Sequence, residues 1–304
     1  MPFPIKCLGD VQKVDLLSLP HIKSGLSALD RIIQGLFDGQ LIVVTGKRGQ
    51  GKSTFASNIL SNALDQGRNI FAYSGELPDY HFRNWLDLQI AGVQNIDATK
   101  NEWGDFTYTL RESAAQKLSA FYQGRAYIYD NSAIPQDCRL QDNLLASVRY
   151  AADELNCSVI LIDNIMTAVD MLDNDAYAIQ SDFVKRLKAL AAEKNLIILL
   201  IAHPRKTKNG EEFVNDDVSG SGDITNLADI VLSYSRIEES SSASEEGKYQ
   251  SAIAVTKNRL TGKLTTKESK IKVKYSEVTK RIATETDTDP NRSLCCFRTD
   301  FIPF

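Results

Sequence analysis

The stretch Gly46-Lys47-Arg48-Gly49-Gln50-Gly51-Lys52-Ser53 constrains this chain more than any other part of its sequence. It fits the pattern G-x-x-x-x-G-K-[ST], in which glycines allow successive backbone N–H groups to point at an anion. Lys52 would place its charge on the β- and γ-phosphates, and Ser53 would offer a hydroxyl to Mg²⁺. An apolar run at 41–44 predicts a buried strand before the motif, and residues 54–60 predict a helix after it. The sequence therefore predicts a nucleoside triphosphate site, with ATP and Mg²⁺ as the expected cofactors.

Composition narrows the class of protein. The chain has 304 residues, of which 43% are hydrophobic, so it is expected to be globular. Its net charge of −4 excludes a general basic coat, and any nucleic-acid contact must come from local patches. Its five cysteines include no C-x-x-C pair, which favours a reducing, cytoplasmic compartment. No apolar run reaches the length of a membrane span, so no membrane partner is expected.

Strand and helix patterns alternate along most of the chain. Apolar or β-rich runs predict strands at 69–73, 126–130, 158–163 and 196–202, and helical periodicity covers 83–91, 111–121, 140–155 and 175–194. Continuous apolar strands between helices predict an α/β fold, with a mainly parallel central sheet flanked by helices. Further strands at 230–234, 251–256 and 270–275, the last with the alternation of an edge strand, make the C-terminal part β-rich.

Three polar residues end or follow predicted strands, where ligands gather at the carboxyl edge of a parallel sheet. Asp163 can hold Mg²⁺ through water and complete its shell with Ser53. Glu76 can reach the γ-phosphate region to orient or deprotonate water, although a surface glutamate in a turn is the alternative. His203 can sense the γ-phosphate, the alternative being a structural histidine.

Small and cationic residues follow His203 and recur near residue 258. The loop residues Arg205, Lys206, Lys208 and Asn209 suit phosphate-backbone contacts, and Gly220, Ser221 and Gly222 allow close approach of a nucleic-acid strand. Solvated surface loops are the alternative for both stretches. Lys257 and Arg259 follow a predicted strand, where a cation can stabilise charge on the γ-phosphate of its own or a neighbouring subunit. A basic edge hairpin is the alternative there.

Taken in order, these motifs resemble those of one known family. They are Gly46-Lys47-Arg48-Gly49-Gln50-Gly51-Lys52-Ser53-Thr54, Ser74-Gly75-Glu76-Leu77-Pro78, Leu161-Ile162-Asp163-Asn164, Ala202-His203-Pro204-Arg205-Lys206, Ser219-Gly220-Ser221-Gly222, Ala228-Asp229 and Lys257-Asn258-Arg259. Over about residues 20–280 the chain resembles the RecA-like P-loop NTPase motor of DnaB-type hexameric replicative helicases. The stretches 203–206 and 257–259 look closest to the mitochondrial Twinkle and phage primase-helicase branch.

The resemblance implies how the nucleotide is handled. Residues 46–54 would bind ATP, with Lys52 on the phosphates and Ser53 on Mg²⁺. Asp163 would be the Walker B acid, the second Mg²⁺ ligand. Glu76 would be the general base for water.

The resemblance also implies contacts beyond the nucleotide. His203 would couple the γ-phosphate to the DNA loop that follows it, and Arg259, with Lys257, would act on a neighbour's nucleotide. The loops 205–210 and 219–222 would line a central channel and hold single-stranded DNA. The expected partners are therefore single-stranded DNA, further copies of the chain in a hexameric ring, and possible primase or loader proteins.

We divide the chain into an N-terminal arm or linker at 1–20, a motor domain at 21–282, and a polar segment with a C-terminal tail at 283–304. The linker of such motors is expected to be absent or reduced to the arm. The chain is then either a single-domain helicase or the motor portion of a longer protein. The leading function is an ATP-dependent helicase motor that translocates on single-stranded DNA during replication. A RecA- or RadA-like recombination or repair ATPase and a KaiC-like regulatory ATPase are the alternatives.

Overall fold

A nine-stranded mixed sheet forms the centre of the computed structural model, which describes residues 5–133, 138–169, 176–203, 222–237, 249–287 and 289–298. The strands are β1 (His21–Ile22), β2 (Leu36–Phe37), β3 (Leu41–Thr45), β4 (Asn69–Ser74), β5 (Ile96–Lys100), β6 (Phe106–Leu110), β7 (Ala126–Ile128), β8 (Cys157–Asp163), β9 (Ile197–Ala202), β10 (Ile230–Arg236), β11 (Ser251–Asn258), β12 (Ile271–Tyr275) and β13 (Ile282–Ala283). The helices are α1 (Ser27–Ile33), α2 (Lys52–Asp65), α3 (Asp79–Ala91), α4 (Glu112–Tyr122), α5 (Leu140–Asp153), α6 (Ile165–Ala168), α7 (Ala176–Lys194) and α8 (Gly222–Leu227).

The order of strands in the large sheet is β13-β12-β11-β10-β3-β9-β8-β4-β7. The pairings from β10 through β7 are parallel, whereas β10 to β13 pair antiparallel along the C-terminal part of the chain. The α/β class, the mainly parallel sheet and the β-rich C-terminal part are therefore confirmed. Among the described residues, no helix combines the length and apolar character needed to cross a membrane.

Alternate residues of the central strands face two separate hydrophobic cores. In β3, Ile42 and Val44 pack with helices α1 to α4, while Leu41 and Val43 pack with α5 to α8. All four side chains are fully buried. Because both faces of this strand are covered, its sequence is one continuous apolar run. The two cores hold the sheet rigid between its helical layers, and this rigidity fixes the edge where the strands end.

The structure differs from the sequence prediction at three places in the sheets, one of which is the pairing of β1 with β2. A hairpin of β5 and β6 was also not predicted. Ile96 is the one residue of β5 that is buried, so burial leaves no alternating pattern in that strand. Strand β12 was expected at a sheet edge, but the two-residue strand β13 pairs with it through Lys274 and Tyr275. A pairing of two residues leaves too short a pattern to recognise in a sequence.

The segment after residue 289 packs into the core beside the helix that follows the glycine-rich loop. Leu294 and Cys295 are fully buried, and the backbone N–H of Leu294 donates to the carbonyl of Ile90 at the end of α3. Asp65, the last residue of α2, accepts from the backbone N–H of Cys295 at 2.6 Å and from Arg298 at 2.9 Å. The described part of the C-terminal tail therefore closes the outer side of α2 and α3.

Candidate nucleotide-binding site

Four neighbouring parallel strands deliver four of the predicted site residues to one edge of the sheet. The loop after β3 leads into Lys52, and His203, Asp163 and Glu76 end or follow β9, β8 and β4. The register aligns these ends, because Thr45 of β3 pairs with Ala202 and Ser74 of β4 pairs with Asp163. Parallel strands end at the same edge, so the alignment follows from the sheet alone.

The glycine-rich loop depends on close backbone packing at Gly46. Its φ is 145°, and a Cβ at this position would lie 2.0 Å from the carbonyl oxygen of Tyr234 in β10. No other residue fits there without moving the strand. The loop ends at Lys52, the first residue of α2, whose backbone places the helix N-terminus at the site.

Lys52 is buried, and its Nζ donates to the carbonyl oxygen of Lys47 in the same loop at 2.9 Å. Burial lowers the pKa of Lys52, and the nearby carboxylates of Asp163 and Glu76 oppose this shift. The ammonium group thus lies between a backbone acceptor and two anions. A buried cation in this position is suited to pairing with a phosphate.

Ser53 and Asp163 meet at the base of the site. Asp163 is 2% exposed, and the Ser53 hydroxyl lies near enough to its carboxyl to affect the pKa. Burial raises the pKa of Asp163 to about 6, while the hydrogen bond from Ser53 and the charge of Lys52 oppose the shift. Among the described residues, no group of three or more His, Cys, Asp or Glu converges as a metal cage. A pair of oxygen ligands fits Mg²⁺, which usually keeps several waters and phosphate oxygens.

Glu76 is positioned by a turn that is pinned to the end of β8. The N–H of Gly75 donates to the carbonyl of Asp163 at 2.7 Å, and the Ser74 hydroxyl accepts from the N–H of Leu77 at 3.2 Å. A Cβ on Gly75 would lie 2.1 Å from the hydroxyl of Thr167. A glycine before Glu76 therefore lets the turn lie directly against α6, and the half-exposed carboxylate of Glu76 reaches into the cavity.

His203 lies beside Glu76, with 3.5 Å between His203 Nε2 and Glu76 Oε1. Burial and the positive charge of Lys52 lower the pKa of His203, although Glu76 opposes this shift, so its imidazole is neutral at pH 7. The side chain of Asn164 lies between the two: Nδ2 donates to Glu76 Oε1 at 2.7 Å and lies 3.2 Å from His203 Nε2. Sequence reasoning assigned no role to Asn164. Its position next to Asp163 at a strand end was the signal that could have found it.

These residues line one cavity of about 1350 Å³. The loop residues Arg48, Gly49, Gln50, Gly51, Lys52, Ser53 and Thr54 line it together with Glu76, Asp163 and His203. Gly46 and Lys47 form the base of the loop, where Gly46 packs on β10 and Lys47 supplies the carbonyl that Lys52 contacts.

Four aromatic residues and one arginine that line the cavity were not predicted. They are Trp85, Tyr234, Arg236, Tyr249 and Tyr275. The ring of Tyr234 lies near Gly51 and stacks on Phe55 with 5.5 Å between ring centroids. These residues come from α3, β10, β12 and the segment before β11, and no local motif joins them. A lysine lies over a face of three of these rings: Lys280 Nζ is 5.5 Å from the centroid of Trp85 and 6.0 Å from that of Tyr275, and Lys274 Nζ is 5.1 Å from that of Tyr249.

Lys257 and Arg259 lie at the other end of the sheet. Asn258 between them pairs with Ile230, whereas Ser233 pairs with Thr45 beside the phosphate loop. The length of β3 therefore separates Arg259 from the cavity of its own chain, roughly 13 Å at about 3.3 Å per residue. This arrangement excludes action on the phosphates of the same chain in the described conformation.

Both cations instead contact the end of α8. Lys257 Nζ donates to the carbonyls of Thr225 and Asn226 at 2.6 and 3.0 Å. Arg259 donates to the carbonyl of Asn226 and lies 3.6 Å from the carboxylate of Asp229. Helix α8 begins at Gly222, one of the residues predicted to contact DNA. The other six, Arg205, Lys206, Lys208, Asn209, Gly220 and Ser221, lie outside the described residues.

Solved structures share this fold. A structure described as a DnaB-like replicative helicase with its interactions with primase aligns with a TM-score of 0.68 at 15% identity, over 87% of this chain and 63% of that one. A second structure, described as an ATPase domain, gives a TM-score of 0.67 at 16% identity, over 88% of this chain and 92% of that one. A KaiC-like protein from Pyrococcus horikoshii gives 0.59 at 17% identity, over 88% and 99%. The predicted RecA-like fold is confirmed.

Curated relatives are replicative DNA helicases. DnaB of Haemophilus influenzae is 26% identical over 252 residues, which are 78% of this chain and 52% of the relative. DnaB of Helicobacter pylori is 24% identical over 230 residues, or 73% and 45%. The chain spans about half the length of the curated relatives it matches.

The model of the DnaB-like helicase C-terminal domain matches residues 21–282, most of the chain. The predicted resemblance to DnaB-type motors is confirmed at this level, while the narrower likeness to the Twinkle and phage branch stays a prediction. Among the described residues of the motifs that carried the prediction, Lys52, Glu76, Asp163 and His203 lie at one sheet edge, and Lys257 and Arg259 lie at its other end. The chain belongs to the family of the DnaB-like helicase C-terminal domain.

Proposed function

We propose that this chain is an ATP-hydrolysing motor that moves along single-stranded DNA and unwinds duplex DNA during replication. The observation that carries the proposal is the convergence of Lys52, Ser53, Glu76, Asp163 and His203 on one cavity at the carboxyl edge of the sheet. Family membership supports a nucleotide-dependent activity. It also supports the choice of DNA as the substrate.

ATP is the proposed nucleotide, with its phosphates on the loop 46–54 and its charge matched by Lys52. Two buried polar atoms near the loop, Gln50 Oε1 and Thr45 Oγ1, have no hydrogen-bond partner among the described residues, which suits a site built for a polar ligand. The aromatic residues that line the same cavity, Trp85, Tyr249 and Tyr275, are the proposed neighbours of the base. Mg²⁺ would be held by Ser53 and Asp163, and when bound it would neutralise charge on the phosphate oxygens.

Glu76 is the proposed base that activates the attacking water. Its carboxylate faces the cavity from the neighbouring strand end, close enough to His203 to share a hydrogen-bond network. Neutral His203 would sense the γ-phosphate, and its backbone continues directly into the predicted DNA loop 205–210. Hydrolysis and DNA contact would then be connected through one residue at the end of β9.

Arg259, with Lys257, is proposed to act on the nucleotide of a neighbouring subunit. The position of Arg259 at the far end of β11 supports this choice over action in the same chain. A second copy is then part of a complete site, and the proposed assembly is a hexameric ring. The ring would bring several copies of the loops 205–210 and 219–222 to one DNA strand, so few cations per subunit suffice.

We further propose a motor domain at 21–282, an arm at 1–20 and a tail at 283–304, working in a reducing cytoplasm. All five cysteines are free thiols, which supports that compartment.

The relative whose structure is described with primase supports a primase or loader as a further partner. The KaiC-like neighbour shares the fold, so the fold alone does not favour a helicase over a regulatory ATPase.

The test is ATP hydrolysis with and without single-stranded DNA across a salt series. Stimulation that fades as salt rises is expected, because phosphate contacts release counterions. Duplex unwinding, assayed on a forked substrate, distinguishes the helicase from a recombination ATPase that forms filaments and pairs strands. Turnover that is indifferent to DNA in an assembled ring would contradict the motor and favour a regulatory ATPase.

A further inference from the structure

Asn164 is the buried hub between two residues of the proposed active site. Its side chain is 0% exposed and contacts both Glu76 and His203 through the same amide nitrogen. The described contacts of the Glu76 carboxylate are those with Asn164 and His203, although this carboxylate is 51% exposed. The orientation of an otherwise solvated carboxylate thus depends on an amide that is held inside the protein.

The orientation of the Asn164 amide is fixed by helix α6. Its Oδ1 accepts from the backbone N–H groups of Met166 at 2.9 Å and Thr167 at 3.3 Å, as the N-cap of that helix. Thr167 completes the capping box, because its hydroxyl lies 3.3 Å from the backbone N–H of Asn164. With the oxygen occupied by backbone donors, the two hydrogens of Nδ2 must face the opposite side, where Glu76 and His203 lie.

The two hydrogens have different acceptors. One is donated to Glu76 Oε1 at 2.7 Å, a short distance that is typical of a charged acceptor. The other faces His203 Nε2 at 3.2 Å, and this contact is a hydrogen bond when that nitrogen is unprotonated and the ring proton lies on Nδ1. Asn164 therefore fixes the direction of the Glu76 carboxylate and the tautomer of His203 together.

We propose that Asn164 is a positioning residue for hydrolysis, holding Glu76 toward the attacking water and tying it to His203. The inference rests on the proposed function, in which Glu76 is the base. Asn164 touches neither nucleotide nor water in this role and acts through Glu76. A base released from its donor would spend much of its time pointing into solvent, so misorientation should lower kcat by about 10- to 100-fold.

The experiment compares Asn164→Ser with Thr167→Val. Serine keeps an oxygen that can cap α6 but lacks the amide donor, whereas valine removes the Thr167 half of the capping box and leaves the amide in place. We expect Asn164→Ser to lower kcat while the KM for ATP stays within about twofold, because ground-state binding is unchanged. Thr167→Val should lower the melting temperature with little change in kcat.

Two outcomes overturn the proposal. A wild-type kcat in Asn164→Ser would show that Glu76 needs no donor. If both variants lost stability and ATP binding to the same extent, Asn164 would act only as the cap of α6. In a Glu76→Gln background, Asn164→Ser should cost nothing further, and an undiminished additional loss would also contradict action through Glu76.

A second measurement separates this inference from the proposed function, because it needs no turnover. The chain has three histidines, so the side-chain ¹⁵N resonances of His203 can be assigned by substitution. Its Nε2 should be unprotonated at pH 7 and should shift in Asn164→Ser, with no shift in Thr167→Val. An Nε2 that carries the proton in the wild type would overturn the inference, whereas absent ATP hydrolysis with the expected resonances would count against the proposed function alone.

Discussion

The hydroxyl of Ser53 opposes the rise that burial causes in the pKa of the Asp163 carboxyl. Ser53 is the second residue of α2, which follows β3, and Asp163 ends β8, so the two residues come together from either side of β9. Asp163 is almost fully buried, and ionising it there costs free energy that a bound cation would return. The proposed Mg²⁺ site should therefore lower the stability of the protein when no cation is bound.

Asp163→Asn is expected to stabilise the nucleotide-free protein at pH 7 and to abolish ATP hydrolysis. Burial raises the pKa of Asp163 from 3.8 to about 6, so at pH 7 ionisation costs more in the folded chain than in the unfolded chain. Removing the charge should raise the free energy of unfolding by up to about 3 kcal/mol. Below about pH 4 this carboxyl is largely protonated in both the folded and the unfolded chain, so the difference in stability between the variant and the wild type should largely disappear. Denaturant unfolding at pH 7 and pH 4 measures it, and equal stability at pH 7 would contradict the raised pKa.

Lys52→Ala is expected to lower ATP hydrolysis by at least about 100-fold, because the phosphate charge is left unmatched. The fold should survive, since burial lowers the pKa of Lys52 and its ammonium is costly to hold in the free protein. Turnover and thermal melting measured on the same preparation check both statements. Unchanged turnover would remove the phosphate-binding role of the loop.

Arg259→Ala should bind ATP normally but hydrolyse it at least about 100-fold more slowly. If the residue acts across a subunit interface, mixing Arg259→Ala with Lys52→Ala subunits should restore part of the activity. An interface in which the Arg259→Ala subunit supplies the phosphate loop and the Lys52→Ala subunit supplies residue 259 then combines an intact Lys52 with an intact Arg259. The mixed interface of the opposite order has neither. The exposed Lys263 lies in the same basic segment, so Lys263→Ala is the matched control and should retain wild-type turnover. Mixtures that stay inactive would contradict action in a neighbour.

Leu294→Ala should lower the free energy of unfolding by about 2–5 kcal/mol, because the side chain is fully buried beside α2 and α3. The same substitution at Leu264, which is 54% exposed, provides the control and should cost no more than about 0.5 kcal/mol. Urea unfolding of the two variants measures the difference. Equal costs would show that the segment after residue 289 does not contribute to the core.

The predicted catalytic edge follows from local patterns. Asp163 and His203 each adjoin a run of apolar residues, and the loop that leads to Lys52 follows a third run at 41–44. Such runs identify parallel strands whose ends must meet. The sequence could therefore group these residues without any knowledge of distant contacts. It could not give the role of Asn164, because that depends on which end of an amide faces a helix and which faces Glu76.

The positions of Arg259 and Leu294 also depend on contacts between residues that are far apart in sequence. The location of Arg259 depends on the antiparallel register of β11 with β10, in which one strand reverses the direction of the other. The burial of Leu294 depends on contacts with α3, far away in sequence. Neither residue carries a periodic pattern around it, so no local signal distinguishes a sheet-end cation from a surface one, or a core leucine from one in a loose tail.

The described tail contacts the last residue of α2, the helix that begins at Lys52, through Asp65. The stretch shared with the family ends at residue 282, inside the body that packs together. The part of the chain that matches the family model is thus shorter than the part that packs together. Two relatives with identical residues over 21–282 would still differ behind the phosphate loop if their tails differed. Substitutions after residue 282 can therefore alter the packing of α2, the helix whose first residue is Lys52.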